Sequence, residues 1–220
     1  MQCIKDTIKN INIVIGCSIG CSYCYARMNN NRFHTIDDFN KPVFFENKLK
    51  MLDNKRHTAY LLTGQSDLSG WNEEWKDKVF SKMKENENTQ YIFLTKRPEN
   101  INLKETPDNG WFGVTVTSSK EKTRIDYLRN NIKAKHYHIT FEPMFDDVGK
   151  LDLSNISWIV IGTETGNRKG KISSKREWVF NIYNQAKEKN IPVFMKEDLL
   201  GILNEDEFAQ EFPKEFGGIK

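Results

Sequence analysis

The sequence predicts an α/β fold in which a parallel sheet curls into an open, partial barrel. Three observations predict it. Apolar runs of four to seven residues alternate with stretches whose apolar residues recur at helical spacing, as in parallel sheets covered by crossover helices. Each run ends in a polar loop. Six such runs and a short seventh fit in 220 residues, where a complete eight-fold barrel takes ~250.

The first run, Ile11-Asn12-Ile13-Val14-Ile15, reads as a buried strand that delivers Gly16-Cys17-Ser18-Ile19-Gly20-Cys21-Ser22-Tyr23-Cys24-Tyr25 into the loop beyond it. Tyr25 to Met28 lean towards helix. Pro42 suits a first helical turn, and 43–52 carries apolar residues at helical spacing. Ala59 to Leu62 is the second strand, stopped by Thr63-Gly64-Gln65-Ser66-Asp67. Trp71, Trp75, Val79 and Met83 mark one face of a helix. The third strand is Tyr91 to Leu94, and the fourth is Trp111 to Thr117. Ser118 or Ser119 then caps a helix through Ile125 and Leu128. Tyr137 to Phe141 and Trp158 to Ile161 are the fifth and sixth strands. A helix from Trp178 to Ala186 and a short strand, Pro192 to Met195, complete the pattern. Without repeats, low-complexity tracts or a linker, residues 1–220 are expected to form one domain, with the barrel over about 10–197 and a tail over 198–220.

Composition narrows the class. With 38% hydrophobic and 29% charged residues the chain is an ordinary globular protein, and no apolar run reaches the length of a membrane span. No signal-peptide core follows Met1, so a cytoplasmic location with reduced thiols is expected. The net charge of +3 permits an anionic partner without demanding one.

Three of four cysteines, Cys17, Cys21 and Cys24, fall within eight residues. Thiolates this close suit a soft metal centre, and iron–sulfur clusters are held by cysteine. Zinc with His34 as fourth ligand is the competing reading, although zinc sites usually pair their cysteines. A disulfide would leave one thiol over. Cys3 is read as an incidental terminal thiol. His34, His57, His136 and His138 form no ligand pair, and the last two sit near the start of the fifth strand, away from the strand exits.

In a parallel barrel the strand exits share one face. That face collects the cysteines, Ser66 and Asp67, Lys96 and Arg97, Thr115 and Thr117, Glu142, Glu164 and Lys196. Charged groups beside apolar runs are costly unless paired, hydrated or ligand-bound. Asp67 is equally a turn cap, the threonines are equally strand formers, and Lys96 and Arg97 are equally a solvated pair before Pro98. Glu142 and Glu164 either meet a ligand or form salt bridges with Lys96, Arg97 or Lys196 across the mouth.

The motif Cys-x3-Cys-x-Tyr-Cys resembles the signature of the radical S-adenosylmethionine (SAM) superfamily, with Cys17, Cys21 and Cys24 as its cysteines and Tyr23 at its aromatic position. The ordered set of this motif, Ser-Asp-Leu, Leu-Thr-Lys-Arg-Pro, Gly-Val-Thr, Phe-Glu-Pro and Ile-Gly-Thr-Glu-Thr-Gly is similar to radical-SAM-like proteins of phages and mobile elements, a group of unknown function.

The resemblance implies a partial (β/α)6 TIM-like barrel and a 4Fe–4S cluster on the three cysteines. Its open iron would be chelated by SAM, which is cleaved by an electron from a donor such as flavodoxin or ferredoxin. It implies that Tyr23 presents its backbone to the adenine, and that Thr115, Thr117 or Ser118 meets the ribose. Lys96 and Arg97 would hold the methionine carboxylate or an anionic substrate. The superfamily's Gly-Gly-Glu is absent, so Gly64, Gln65, Ser66 or Asp67 would accept from the SAM ammonium. Glu142, Glu164 and Lys196 are the candidates for direct chemistry. The substrate, a small molecule or a nucleic acid, is not implied. Two alternatives share this core: a protein that binds or modifies nucleic acid, and a sensor that binds SAM without turnover.

Overall fold

A computed structural model describes residues 1–54 and 58–217. His57 and the last three residues of the tail lie outside that set. A single turn, α1 (Ile4–Thr7), leads into β1 (Ile8–Asn10), and a small ribbon follows from β2 (Val14–Ile15) and β3 (Val43–Phe44) with α2 (Tyr25–Phe33) between them. A 3-10 helix (Glu46–Asp53) precedes β4 (Ala59–Leu61), α3 (Glu73–Glu85) and β5 (Gln90–Thr95). Then come β6 (Gly110–Thr115), α4 (Thr123–Asn131), β7 (His136–Phe141), β8 (Ile156–Ile161), α5 (Arg176–Glu188) and β9 (Val193–Met195). Seven strands pair in the order β1-β4-β5-β6-β7-β8-β9, every pair parallel, and the sheet curls into a half-barrel. No helix among the described residues is long and apolar enough to cross a membrane.

Alternation along each strand sorts the core into two layers. Tyr91, Phe93, Phe112, Val114, Ile139 and Ile159 face outward against Val79, Phe80 and Met83 of α3, Ile125 and Leu128 of α4, and Val179, Ile182 and Ala186 of α5. Their neighbours Ile92, Trp111, Trp158, Val160 and Phe194 face the concave side, where Phe212 and Phe216 of the tail pack on them. Phe216 is wholly buried, which for a ring of that size contributes about 1.5–3 kcal/mol. The tail also covers the sheet edge: Met195 N–H donates to the Ala209 carbonyl at 2.7 Å and Glu211 N–H to the Val193 carbonyl at 2.9 Å. Gln2 and Gln210 exchange two hydrogen bonds of 2.7 Å, tying the termini together. The strand exits are left open as the mouth.

The first strand is not where the apolar run suggested. The chain enters the sheet at Ile8 and leaves it after Asn10, turning tightly through the Ile13 N–H to Ile11 carbonyl bond of 3.2 Å. Val14 and Ile15 then pair antiparallel with Phe44 and Val43. Ile11, Ile13, Val14 and Ile15 are all buried, so the run marked burial correctly but not its pairing partner. The same ribbon draws Val43 and Phe44 out of the expected helix, which starts at Glu46 and is 3-10. Gly16, at φ +114°, permits the crossing, since a Cβ there would lie 2.9 Å from Pro42 Cα.

Candidate metal centre and barrel mouth

The cysteine loop is fixed at both ends. Gly16 N–H donates to the Gln65 carbonyl at 3.0 Å, and Cys17 N–H to the Phe39 carbonyl at 2.6 Å. Cys24 is the N-cap of α2, its sulfur accepting the Arg27 N–H at 3.4 Å. From the first turn of α2, Arg27 reaches back with Nη2 to the Cys17 carbonyl at 2.9 Å and Asn40 Oδ1 at 3.0 Å, its guanidinium 5.0 Å above the Phe39 ring. One arginine therefore braces the loop between its first and last cysteines.

All three thiols are free and half-buried. Burial pushes the Cys17 thiol up, and the nearby Asp67, Cys21 and Cys24 act in the same direction. Among the described residues, no three ligating side chains are drawn together as they would be around an ion. The donor chemistry fits a soft centre: three thiols on one braced loop. His34 does not join them. It ends α2 at φ 51°, ten residues beyond Cys24 and so about 15 Å along the helix. The helix thus sets His34 apart from the cysteine loop.

The exit of β4 is stitched to this loop. The Gly64 carbonyl accepts from Tyr25 Oη at 2.6 Å, and Ser66 Oγ accepts from Trp71 Nε1 at 3.0 Å. Asp67 is buried and committed to structure. Its Oδ1 takes Ser69 N–H, Ser69 Oγ–H and Thr95 Oγ–H at 3.0, 2.7 and 2.7 Å, while Oδ2 takes Lys96 N–H at 2.8 Å. It caps the turn Leu68–Gly70 and ties β4 to β5, which is the capping role of the two weighed. Asn10 and Asn12 come within 3.1 and 3.0 Å of where a Gly64 Cβ would sit, and the buried Asn12 Oδ1 has no partner among the described residues. These two amides were missed. The sequence signal was present, as polar residues interrupting the apolar run.

Across the mouth, Lys96 Nζ donates to Thr115 Oγ1 at 3.4 Å and lies 5.9 Å from the Tyr23 ring centre. Arg97 contributes its N–H to Thr95 Oγ1 at 3.0 Å. Thr117 gives both N–H and Oγ–H to Glu121 Oε2, at 2.7 and 2.8 Å, and Arg124 clamps Glu121 Oε2 and the Thr115 carbonyl at 2.8 Å each. Ser118 opens the turn Ser119–Glu121 without a side-chain cap; Ser119 instead bonds Asp146. Tyr23 packs edge-on against Phe145 at 5.3 Å. Burial pushes its phenol up, with Cys21 and Glu121 adding to the effect and Arg124 opposing it. Glu121 and Arg124 were not foreseen, because they lie on a turn and a helix rather than at a strand end.

At β7, β8 and β9 a charged trio closes the mouth. Lys196 Nζ pairs with Glu142 Oε1 and, at 2.9 Å, with Asp198 Oδ2. Burial alone would lower the Lys196 ammonium's proton affinity, but the two carboxylates outweigh it and hold the value above the ordinary one. Asp198 is anchored by the Thr163 N–H at 3.0 Å. Gly162 makes room, since a Cβ there would lie 3.1 Å from Asp198 Oδ1 and Lys196 Cδ. The Glu142–Lys196 pair is thus the salt bridge weighed for that acid.

Glu164 is different. It is 3% exposed and held by Arg168, Nε to Oε1 at 2.5 Å and Nη2 to Oε2 at 2.8 Å, so its partner is none of Lys96, Arg97 or Lys196. That guanidinium keeps its carboxyl below the usual range. Its carboxylate is spent on its own loop.

His136 and His138 sit away from the mouth, as expected. A groove of about 550 Å³ between α5 and residues 149–153 lies on the helix side; the thiols and buried charges gather at the strand exits instead. No curated protein and no solved structure matches the chain. Over residues 2–217, nearly its whole length, the chain belongs to the family described as protein of unknown function DUF5131.

Proposed function

We propose that this protein is a radical SAM enzyme acting on an unidentified substrate within the half-barrel. The observation that carries the reading is the placement of Cys17, Cys21 and Cys24. They stand on one braced loop at the open end of a curled parallel sheet, beside the exits of β4, β5 and β6. Held by these cysteines, a 4Fe–4S cluster would supply the electron that cleaves SAM, itself reloaded by an external donor such as flavodoxin or ferredoxin. Arg27 keeps the loop in one shape, and Cys24 sits at the positive end of α2, which favours an anionic ligand. Tyr23 lines the loop, and Lys96, unpaired with any carboxylate side chain among the described residues, offers a cation to a carboxylate next to Thr115. Glu142 and Lys196 face the substrate side, while Glu164 positions the rim loop.

A second reading rests on Asp67. With both its oxygens engaged, Asp67 is not free to take an ammonium, and on this reading SAM would be bound without turnover. Anaerobic reconstitution with iron and sulfide tests the first reading. The expected product is a brown protein whose iron content collapses in Cys17→Ala, Cys21→Ala and Cys24→Ala. A colourless protein that takes up zinc instead would sink it.

A further inference from the structure

The loop that follows β8 stands on the rim of the mouth, and nearly all of it faces solvent. Residues 165–173 are exposed except Arg168. Their base is nonetheless firmly built. Glu164, 3% exposed, grips Arg168 through two bonds and accepts the Ile172 N–H at 3.3 Å, while Ser174 is pinned by Thr163 Oγ1 at 3.0 Å and the Met144 carbonyl at 3.1 Å. Several carbonyls of the loop are taken by its own cations. Arg168 collects the carbonyls of Lys169 and Gly170 at 3.3 and 3.1 Å, and Lys171 Nζ that of Gly166 at 3.4 Å.

The charge is concentrated to match. Residues 164–176 hold five Lys or Arg and one Glu, a net of +4 against +3 for the whole chain. Arg168 is neutralised by Glu164 and Arg176 by Glu207, so the cations outside any ion pair among the described residues are Lys169, Lys171, whose Nζ also meets the Gly166 carbonyl, and Lys175, whose Nζ lies 5.2 Å from the Trp178 ring centre. Protein partners need an apolar centre, and here only Ile172 is exposed and apolar. Lysines interleaved with Thr165, Asn167, Ser173 and open glycines are the residue types that contact phosphate oxygens.

We propose that the 165–175 loop binds the phosphate backbone of a nucleic acid and holds it across the barrel mouth. The proposal goes beyond the cluster reading and does not depend on it, because none of these residues touches the cysteine loop or the groups assigned to SAM. Three phosphate contacts predict a shallow salt dependence, with log K falling against log salt at a slope of about −2 for single strands and about −3 for duplex.

Fluorescence anisotropy of the full chain as purified, with labelled single-stranded and duplex 20-mers at 25–200 mM NaCl, reads this directly. Lys169→Glu/Lys171→Glu/Lys175→Glu, all on exposed positions, is expected to weaken binding at least tenfold at the lowest salt and flatten the slope, with an unchanged circular dichroism spectrum. The triple Lys→Arg variant is expected to bind like the parent. No binding at 25 mM NaCl, parental affinity in the charge-reversed variant, or equal competition by polyglutamate of the same charge would overturn the proposal. Iron content and SAM binding of the same variants, measured in parallel, report separately on the cluster reading.

Discussion

His138 occupies the concave face with 1% exposure, its Nε2–H donating to the Phe93 carbonyl at 3.0 Å. The ring lies flat over Gly113, where a Cβ would come within 2.4 Å of it, so glycine at 113 is what admits the imidazole. Burial pushes the His138 pKa down to about 4, so the folded chain keeps the ring neutral while the unfolded chain protonates it near the ordinary value. The sign follows. Stability from this residue is whole above about pH 6.5 and is lost as pH falls towards 4, up to about 3 kcal/mol in all. His136, also lowered by burial, adds in the same direction. Urea unfolding should therefore show a lower midpoint at pH 5 than at pH 7; equal midpoints would mean that the ring is solvated. The spacing of the two histidines in the sequence placed them away from the exits. It did not show that one of them replaces an aliphatic side chain in the barrel floor.

At the scale of elements, the cysteine loop and the rim loop are braced in the same way, by an arginine that reaches back along the chain. Arg27 holds the Cys17 carbonyl from ten residues downstream, and Arg168 holds Glu164 from four. Arg27→Ala is expected to leave the thermal midpoint within a few degrees, because its bonds are at the loop and only partly buried, yet to lower iron retention after reconstitution several-fold. Iron retention equal to the parent's would remove Arg27 from the centre.

Elements were legible to very different degrees. β5 to β9 and the helices α3 and α5 follow the apolar runs within one or two residues, because strands buried on both faces leave a continuous signal. By contrast, α4 begins only at Thr123, beyond the expected Ser118 or Ser119 cap, because a 3-10 turn takes up Ser119–Glu121. The first strand was displaced because Ile11–Ile15 is buried in a ribbon rather than the sheet, and a burial pattern does not name its pairing partner. The Glu164 contact was hidden for a related reason: the exit of a strand fixes where a side chain starts, while an arginine four residues away decides where it ends.

The whole molecule is a sheet with two unlike ends. Its exits carry the thiols and charges; its other end is stoppered by the tail. Trp111, Trp158 and Phe194 receive Phe212 and Phe216, with Phe216 4.7 Å from the Trp111 ring centre and 5.2 Å from that of Trp158. The tail read in sequence as polar with scattered apolar anchors, and only the three-dimensional fold shows that those anchors are part of the core. Phe216→Ala is expected to cost about 3–5 kcal/mol, the range for emptying a buried aromatic site, measured as a shift in the urea midpoint. A change under about 1 kcal/mol would show that the tail is not part of the cooperative unit.

The three cysteines, legible from the first, are met in the fold by a mouth of Lys96, Thr115, Glu142 and Lys196 that no single motif disclosed. The most direct test of what this mouth does is to incubate the reconstituted protein with SAM and a strong reductant without oxygen and to quantify 5′-deoxyadenosine. The radical SAM reading predicts release that requires both reductant and all three of Cys17, Cys21 and Cys24. SAM bound by the cluster-loaded protein but recovered intact would contradict it.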